Sequence, residues 1–158
     1  MGFLRKFQSP PGETPLEPNH LKKAGLKTTL PRVRILRLLE ANAQRHMTAE
    51  EVYKTLLDAG EDIGIGTVYR VLTQFEAAGL INRHHFEGSQ SFFELDKGIH
   101  HDHLLCVRCG RIEEFIDETI EKRQRLIADH FGFTMTDHSL YIYGVCSACG
   151  GGASSGPE

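Results

Sequence analysis

From residue 30 to residue 80 the apolar side chains recur at the spacing of amphipathic helices. Ile35, Leu38 and Leu39 follow Pro31, which a first helical turn tolerates because its missing amide would have no partner there. Thr48-Ala-Glu-Glu51 has the form of a capping box, in which the threonine hydroxyl serves one orphan amide and Glu51 reaches back to another. It predicts a second helix with Val52 and Leu56 inward, ending near Gly60. A third, with Thr67 as its expected N-cap, carries Val68, Leu72 and Phe75 at i, i+4 and i+7 before Gly79 stops it. Three short helices joined by brief turns fit a helix-turn-helix unit. The period then changes. Ile81 to Phe86 and Ser91 to Leu95 read as strands around a turn at Glu87-Gly88-Ser89, a hairpin placed as the wing of a winged helix.

Asp96-Lys97-Gly98 reads as a hinge. Beyond it, His103 to Cys106 and Arg111 to Phe115 pattern as a strand pair, and Glu118 to Phe131 as a helix with Ile120, Ile127 and Phe131 on one side. Ser139 to Val145 is a last strand. The expected fold class is α+β: a winged helix-turn-helix over residues 19–95, a hinge at 96–98 and a small α+β dimerisation domain over 99–149. The second domain has a limited core, which leaves a sheet edge and a helix face for another copy, so a homodimer is expected. Residues 1–18, with Pro10, Pro11, Pro15 and Pro18, and residues 150–158, rich in Gly and Ser, lack apolar periodicity and read as disordered tails.

The net charge of −3 hides an asymmetry. Residues 1–83 carry 12 basic and 9 acidic side chains, residues 84–158 carry 6 and 12, and the acidic half holds seven of the nine histidines. A basic first half suits a polyanion, and an acidic, histidine-rich second half suits cations. No apolar run approaches the roughly 18 residues of a membrane span, and no signal peptide is visible, so a soluble cytoplasmic protein is expected. On the third helix, Tyr69, Arg70 and Thr73 lie opposite the apolar stripe. An aromatic hydroxyl, a guanidinium and a threonine at a helix N-terminus can contact thymine methyls, base edges and phosphates in a major groove. With a wing behind them they point to double-stranded DNA, and Lys22, Lys23, Lys27 and Arg32 add charge against its backbone.

The four cysteines form two C-x-x-C pairs, Cys106-Val-Arg-Cys109 and Cys146-Ser-Ala-Cys149. Each pair can wrap one ion from a tight turn, and together they supply the four-sulfur tetrahedral shell that zinc favours in closed structural sites. The 36 residues between Cys109 and Cys146 bring the second pair from a separate element, so the ion staples the domain. Disulfides are the competing reading, but thiols of an intracellular protein stay reduced. Just ahead of the first pair stands His100-His-Asp-His103. If this run is extended, His101 and His103 leave one face while His100 and Asp102 leave the other, so one run feeds two sites. Imidazole and carboxylate ligands without thiolate suit iron(II), manganese, cobalt or zinc. Glu94 and Glu114 are candidates to complete the first site, Glu121 and His138 the second.

Leu21-Lys-Lys-Ala-Gly-Leu-Lys27, Thr67-Val-Tyr-Arg-Val-Leu72, Phe86-Glu-Gly88, His100-His-Asp-His103, Cys106-Val-Arg-Cys109 and His138-Ser-Leu-Tyr141 follow one another over roughly residues 20–149. In this order they resemble the ferric uptake regulator family of metal-dependent bacterial repressors. The resemblance implies a dimer or tetramer that binds operator DNA when loaded with iron(II), or with manganese, cobalt or zinc as surrogate, and controls iron-uptake genes. It implies a structural zinc at Cys106, Cys109, Cys146 and Cys149, and a regulatory metal at His46, Glu94, His101 and His103 with Glu114 as a further ligand. An auxiliary metal is implied at His100, Asp102, Glu121 and His138, and DNA contacts at Lys27, Tyr69 and Arg70. His46 comes from the resemblance alone. Glu114 stands where peroxide-sensing relatives tend to have aspartate, which leans toward an iron sensor; zinc-, manganese- and peroxide-responsive regulators are the alternatives within the family.

Two other classes compete. A metalloenzyme would need an open coordination position and a placed nucleophile or base, but the chain lacks HExxH and no motif places either, so no catalytic residue is assigned. A metal-storage or delivery protein needs only the second half and leaves the winged helix without a purpose.

Overall fold

A computed structural model describes residues 5–6, 18–86 and 90–150. In chain order the elements are β1 (Arg5–Lys6), α1 (Pro18–Lys23), α2 (Leu30–Ala41), α3 (Ala49–Asp58), α4 (Ile65–Ala77), β2 (Ile81–His85), β3 (Ser91–Leu95), β4 (Asp102–Cys106), β5 (Ile112–Ile116), α5 (Glu118–His130) and β6 (Tyr141–Gly144), with a single 3-10 turn at Ser147–Cys149. They divide into two compact units, one of residues 18–99 and one of residues 100–150 with 5–6. The expected turn at Glu87-Gly88-Ser89 and most of both expected tails lie outside the described residues.

In the first unit α3 starts as its capping box predicts: Thr48 Oγ1 accepts the Glu51 amide at 3.1 Å, and Glu51 accepts the Thr48 amide at 2.8 Å. α4 does not start at Thr67. It begins at Ile65 with Gly64 as N-cap and no side-chain cap bond, which makes Thr67 the third helical residue. Ile63 and Val68, at the two positions of a hydrophobic staple, are 7 % and 0 % exposed, so packing rather than a hydroxyl fixes this entry. The core gathers Leu21 from α1, Ile35, Leu36 and Leu39 from α2, Val52 and Leu56 from α3, Val68, Val71, Leu72 and Phe75 from α4, and Ile81, Phe93 and Leu95 from the hairpin. Each such burial contributes about 1.5–3 kcal/mol, enough for the unit to hold itself. β2 and β3 pair antiparallel with Ile81 opposite Leu95 and His84 opposite Phe92.

The second unit is a four-stranded sheet in the order β1-β5-β4-β6. β4 runs antiparallel to β5, with His103 opposite Glu114, and parallel to β6, with Cys106 opposite Gly144. β1 adds Arg5 opposite Ile116, in a stretch whose composition suggests no structure. α5 is capped by Asp117, which accepts the amides of Thr119 and Ile120 at 2.8 and 3.0 Å. Among the described residues of this unit only Leu105 and Cys106 are buried apolar side chains, and α5 buries none. Leu126, Ile127, Phe131 and Phe133 are all about half exposed or more. This sheet and helix therefore need support beyond their own core.

Candidate metal centres

β4 ends at Cys106 and β6 stops just short of Cys146; because the two strands run parallel, these ends lie side by side. The four Sγ atoms consequently all lie within 4.8 Å of one another. Cys109 Sγ and Cys146 Sγ are 3.7 Å apart. That is far beyond a disulfide bond of about 2.05 Å. It matches the edge, about 3.8 Å, of a tetrahedron built on zinc–sulfur bonds of about 2.3 Å. The Cys146 amide donates to Cys106 Sγ at 3.3 Å, and this contact, with the Cys109 amide, draws the Cys106 thiol down to about 6. Hydrogen bonds with Cys109 and Cys146 hold the proton of Cys149 and push it up to about 12. Cys106 thus stands ready as a thiolate at neutral pH, and Cys149 gives up its proton when a cation neutralises the crowded sulfurs.

A second cluster joins the start of β4 to α5 and to the loop before β6. His100, Asp102, Glu121 and His138 each offer a ligand atom within 4.8 Å of the others. His100 Nε2 lies 3.2 Å from Asp102 Oδ1 and 3.4 Å from Glu121 Oε1, and His138 Nε2 lies 3.0 Å from the same Glu121 oxygen. Asp102 is fully buried, and its Oδ2 has no hydrogen-bond partner. Burial raises its carboxyl above the ordinary range, with His100 opposing. An unsatisfied buried acceptor costs about 1–3 kcal/mol, and a divalent cation would satisfy it, so this nitrogen–oxygen set fits a metal.

The other nominated ligands are paired within each unit. In the second, the buried rings of His101 and His103 are 4.9 Å apart, and His101 Nε2 lies 3.8 Å from Glu114 Oε1. In the first, the Glu94 carboxylate is buried between two imidazoles, with His46 Nε2 2.8 Å from Oε2 and His84 Nε2 2.6 Å from Oε1. His84 is not among the residues nominated from the sequence. Its signal was the alternation of the hairpin: facing Phe92, it shares a sheet face with Glu94 two residues along.

Residues 23–143 match the Ferric uptake regulator family. The chain belongs to that family. A ferric uptake regulation protein of Legionella pneumophila is 62 % identical over 133 residues, spanning 84 % of this chain and 98 % of that protein. The ferric uptake regulator of Vibrio cholerae has a TM-score of 0.75 at 55 % identity, over 81 % of this chain and 98 % of its own. That of Francisella tularensis, solved with iron, has a TM-score of 0.77 at 47 % identity, over 79 % and 95 %. This regulator is a metal-responsive transcriptional repressor of iron uptake and not an enzyme. Its α+β fold, a DNA-binding winged helix followed by a dimerisation domain, is that of the family. Among the described residues no helix is long and apolar enough to cross a membrane.

Of the residues nominated from the sequence to meet DNA, Lys27, Tyr69, Arg70 and Thr73 are all exposed. The Tyr69 hydroxyl donates to the Glu50 carboxylate of α3, which holds Glu50 below the usual carboxylate range and raises the phenol. Thr73 Oγ1 accepts from Arg83 at 3.2 Å, linking α4 to the wing. Arg32 is occupied structurally: it donates to the Lys27 carbonyl at 2.7 Å and to Gln74 at 2.8 Å, tying the turn that carries Lys27 to α2 and α4.

Proposed function

We propose that this regulator represses iron-uptake genes by binding double-stranded operator DNA as a homodimer in the cytoplasm when iron(II) is held by His46, Glu94, His101 and His103, with Glu114 as a further ligand. The observation that carries this reading is the buried Glu94 carboxylate paired with His46, on a strand that leads within a few residues into His101 and His103. Ligands from both units on one cation fix the separation of the two winged helices of a dimer to match two half-sites, a state the metal-free protein samples among others. Nitrogen and oxygen donors without thiolate suit iron(II), in keeping with the Francisella tularensis relative solved with iron, and admit manganese, cobalt or zinc as surrogates. Zinc at Cys106, Cys109, Cys146 and Cys149 holds the second unit together, and an auxiliary metal binds at His100, Asp102, Glu121 and His138. Dimerisation covers the exposed apolar side chains of α5 and of β6, Ile142 and Tyr143 among them. Lys27 neutralises phosphate, and Tyr69, Arg70 and Thr73 read the groove.

The test is an anaerobic titration of iron(II) or manganese into wild type and His46→Ala while binding to an iron-uptake promoter fragment is followed. His46→Ala keeps its fold, zinc and dimer but needs far more metal for activation. Activation at the wild-type metal concentration would move the switch to the cluster around Asp102.

A further inference from the structure

We infer that His84 is a metal ligand, so that the DNA-binding unit holds three donors of its own for the regulatory ion: His46, His84 and Glu94. This rests on the reading of His46 and Glu94 given above. The three ligand atoms lie within 4.8 Å of one another. Each imidazole Nε2 takes a different oxygen of the one carboxylate, at 2.8 Å for His46 and 2.6 Å for His84. Neighbouring ligands bound at about 2.0–2.2 Å from a cation stand about 3 Å apart, so a small shift turns this hydrogen-bonded cluster into a chelate.

The cluster is also fixed in place and shielded from water. The side chains of His46, His84 and Glu94 are 4 %, 12 % and 2 % exposed. Met47 and Phe93 exchange backbone hydrogen bonds at 3.0 and 2.8 Å, which pins His46 beside Glu94, and the β2–β3 register pins His84. Phe86 forms an apolar wall, stacked on the His84 ring at 5.8 Å and set edgewise to His46 at 6.4 Å, with Phe92 behind it at 5.4 Å. Such a wall lowers the local dielectric and strengthens the attraction of any ion held there. Two imidazoles and a carboxylate form a set that holds iron(II) with positions left open, and those positions are where His101 and His103 join. The regulator therefore takes up metal on its DNA-binding unit first, and activation follows as a separate step when the second unit's ligands engage.

The experiment uses the full-length, zinc-loaded chain with cobalt(II) as probe, and with His100→Ala and His138→Ala in every sample to remove the auxiliary site. Hyperfine-shifted, exchangeable ring protons in the proton NMR spectrum count the imidazoles bound to cobalt. His84→Ala removes one such resonance and weakens cobalt binding about tenfold or more. His84→Gln, which keeps a hydrogen-bond donor for Glu94, gives the same loss if alanine disturbs the hairpin. A residue that only steadied Glu94 would also weaken binding but would leave the resonance count unchanged, and an unchanged count overturns the inference. With His84 intact, adding His101→Ala and His103→Ala leaves one cobalt per chain and two shifted resonances; no cobalt bound overturns the three-donor site. His46→Ala separates the two levels: a loss there without one at His84 removes His84 alone, whereas no loss at either removes the regulatory site itself.

Discussion

Replacing Asp102 by asparagine should stabilise the protein that carries only its zinc and destabilise the protein that also carries an auxiliary metal. Asp102 is fully buried, bonds to the His100 ring at 3.2 Å through Oδ1, and leaves Oδ2 without a hydrogen-bond partner. Asparagine keeps the shape and removes the charge. The gain is bounded by the cost of an unsatisfied buried acceptor, about 1–3 kcal/mol. Its pH dependence has a definite sign. Burial raises the Asp102 carboxyl, so between the ordinary carboxylate value and the raised one the folded protein holds a proton that the unfolded chain has released. Wild-type stability falls as pH rises through that window, while asparagine does not titrate. The advantage of Asp102→Asn is therefore small in acid and full at neutral pH. With auxiliary metal at about 1,000 times its Kd, wild type gains about 4.1 kcal/mol and the variant gains nothing, so their order reverses. Native-state hydrogen exchange of the β4 and α5 amides, with and without manganese, reads this unit alone. A variant less stable than wild type at neutral pH without manganese, or an advantage that persists unchanged in acid, would refute the assignment of Oδ2 as an oxygen kept for a cation.

Cys106→Ser removes a thiolate from a site whose binding energy, on the order of 10 kcal/mol in small zinc modules, is folding energy, so the second unit unfolds or loses its dimer. Sedimentation and zinc analysis check this, and a folded, zinc-free dimer would exclude a structural ion. Lys27→Ala lowers the salt dependence of DNA binding by about one phosphate contact on every sequence, whereas Tyr69→Ala erodes discrimination at particular base pairs. Equal, sequence-independent losses from both changes would take Tyr69 off the reading face.

What the sequence disclosed, and what it hid, follows from how local each interaction is. The start of α3 was legible because Thr48 and Glu51 cap each other within one turn. The start of α4 was not, because Gly64 gives no hydroxyl signal and the staple of Ile63 and Val68 becomes visible only when both enter one core. Along β4, alternation alone separated His100 and Asp102 from His101 and His103, and Glu121 and His138 were nominated from their residue types; the fold brings them to His100 and Asp102 from α5 and the loop behind it. His84 escaped because its role depends on which face of the hairpin Glu94 occupies, a matter of register with Phe92. α1 holds one core anchor, Leu21, too few for a period, and the two residues of β1 gain meaning only beside Ile116 and Phe115.

With an ion on the four thiolates, the parallel pairing of β4 and β6 changes what a break in the chain would mean. Residues 131–137, between α5 and His138, are mostly exposed and open to a protease. A cut there leaves Cys106 and Cys109 on one fragment and Cys146 and Cys149 on the other, yet β6 stays hydrogen-bonded to β4 and the shared ion ties both pieces. The nicked protein would travel as one particle under native conditions and fall into two when a chelator takes the zinc. At this point the metal stands in for covalent continuity of the backbone.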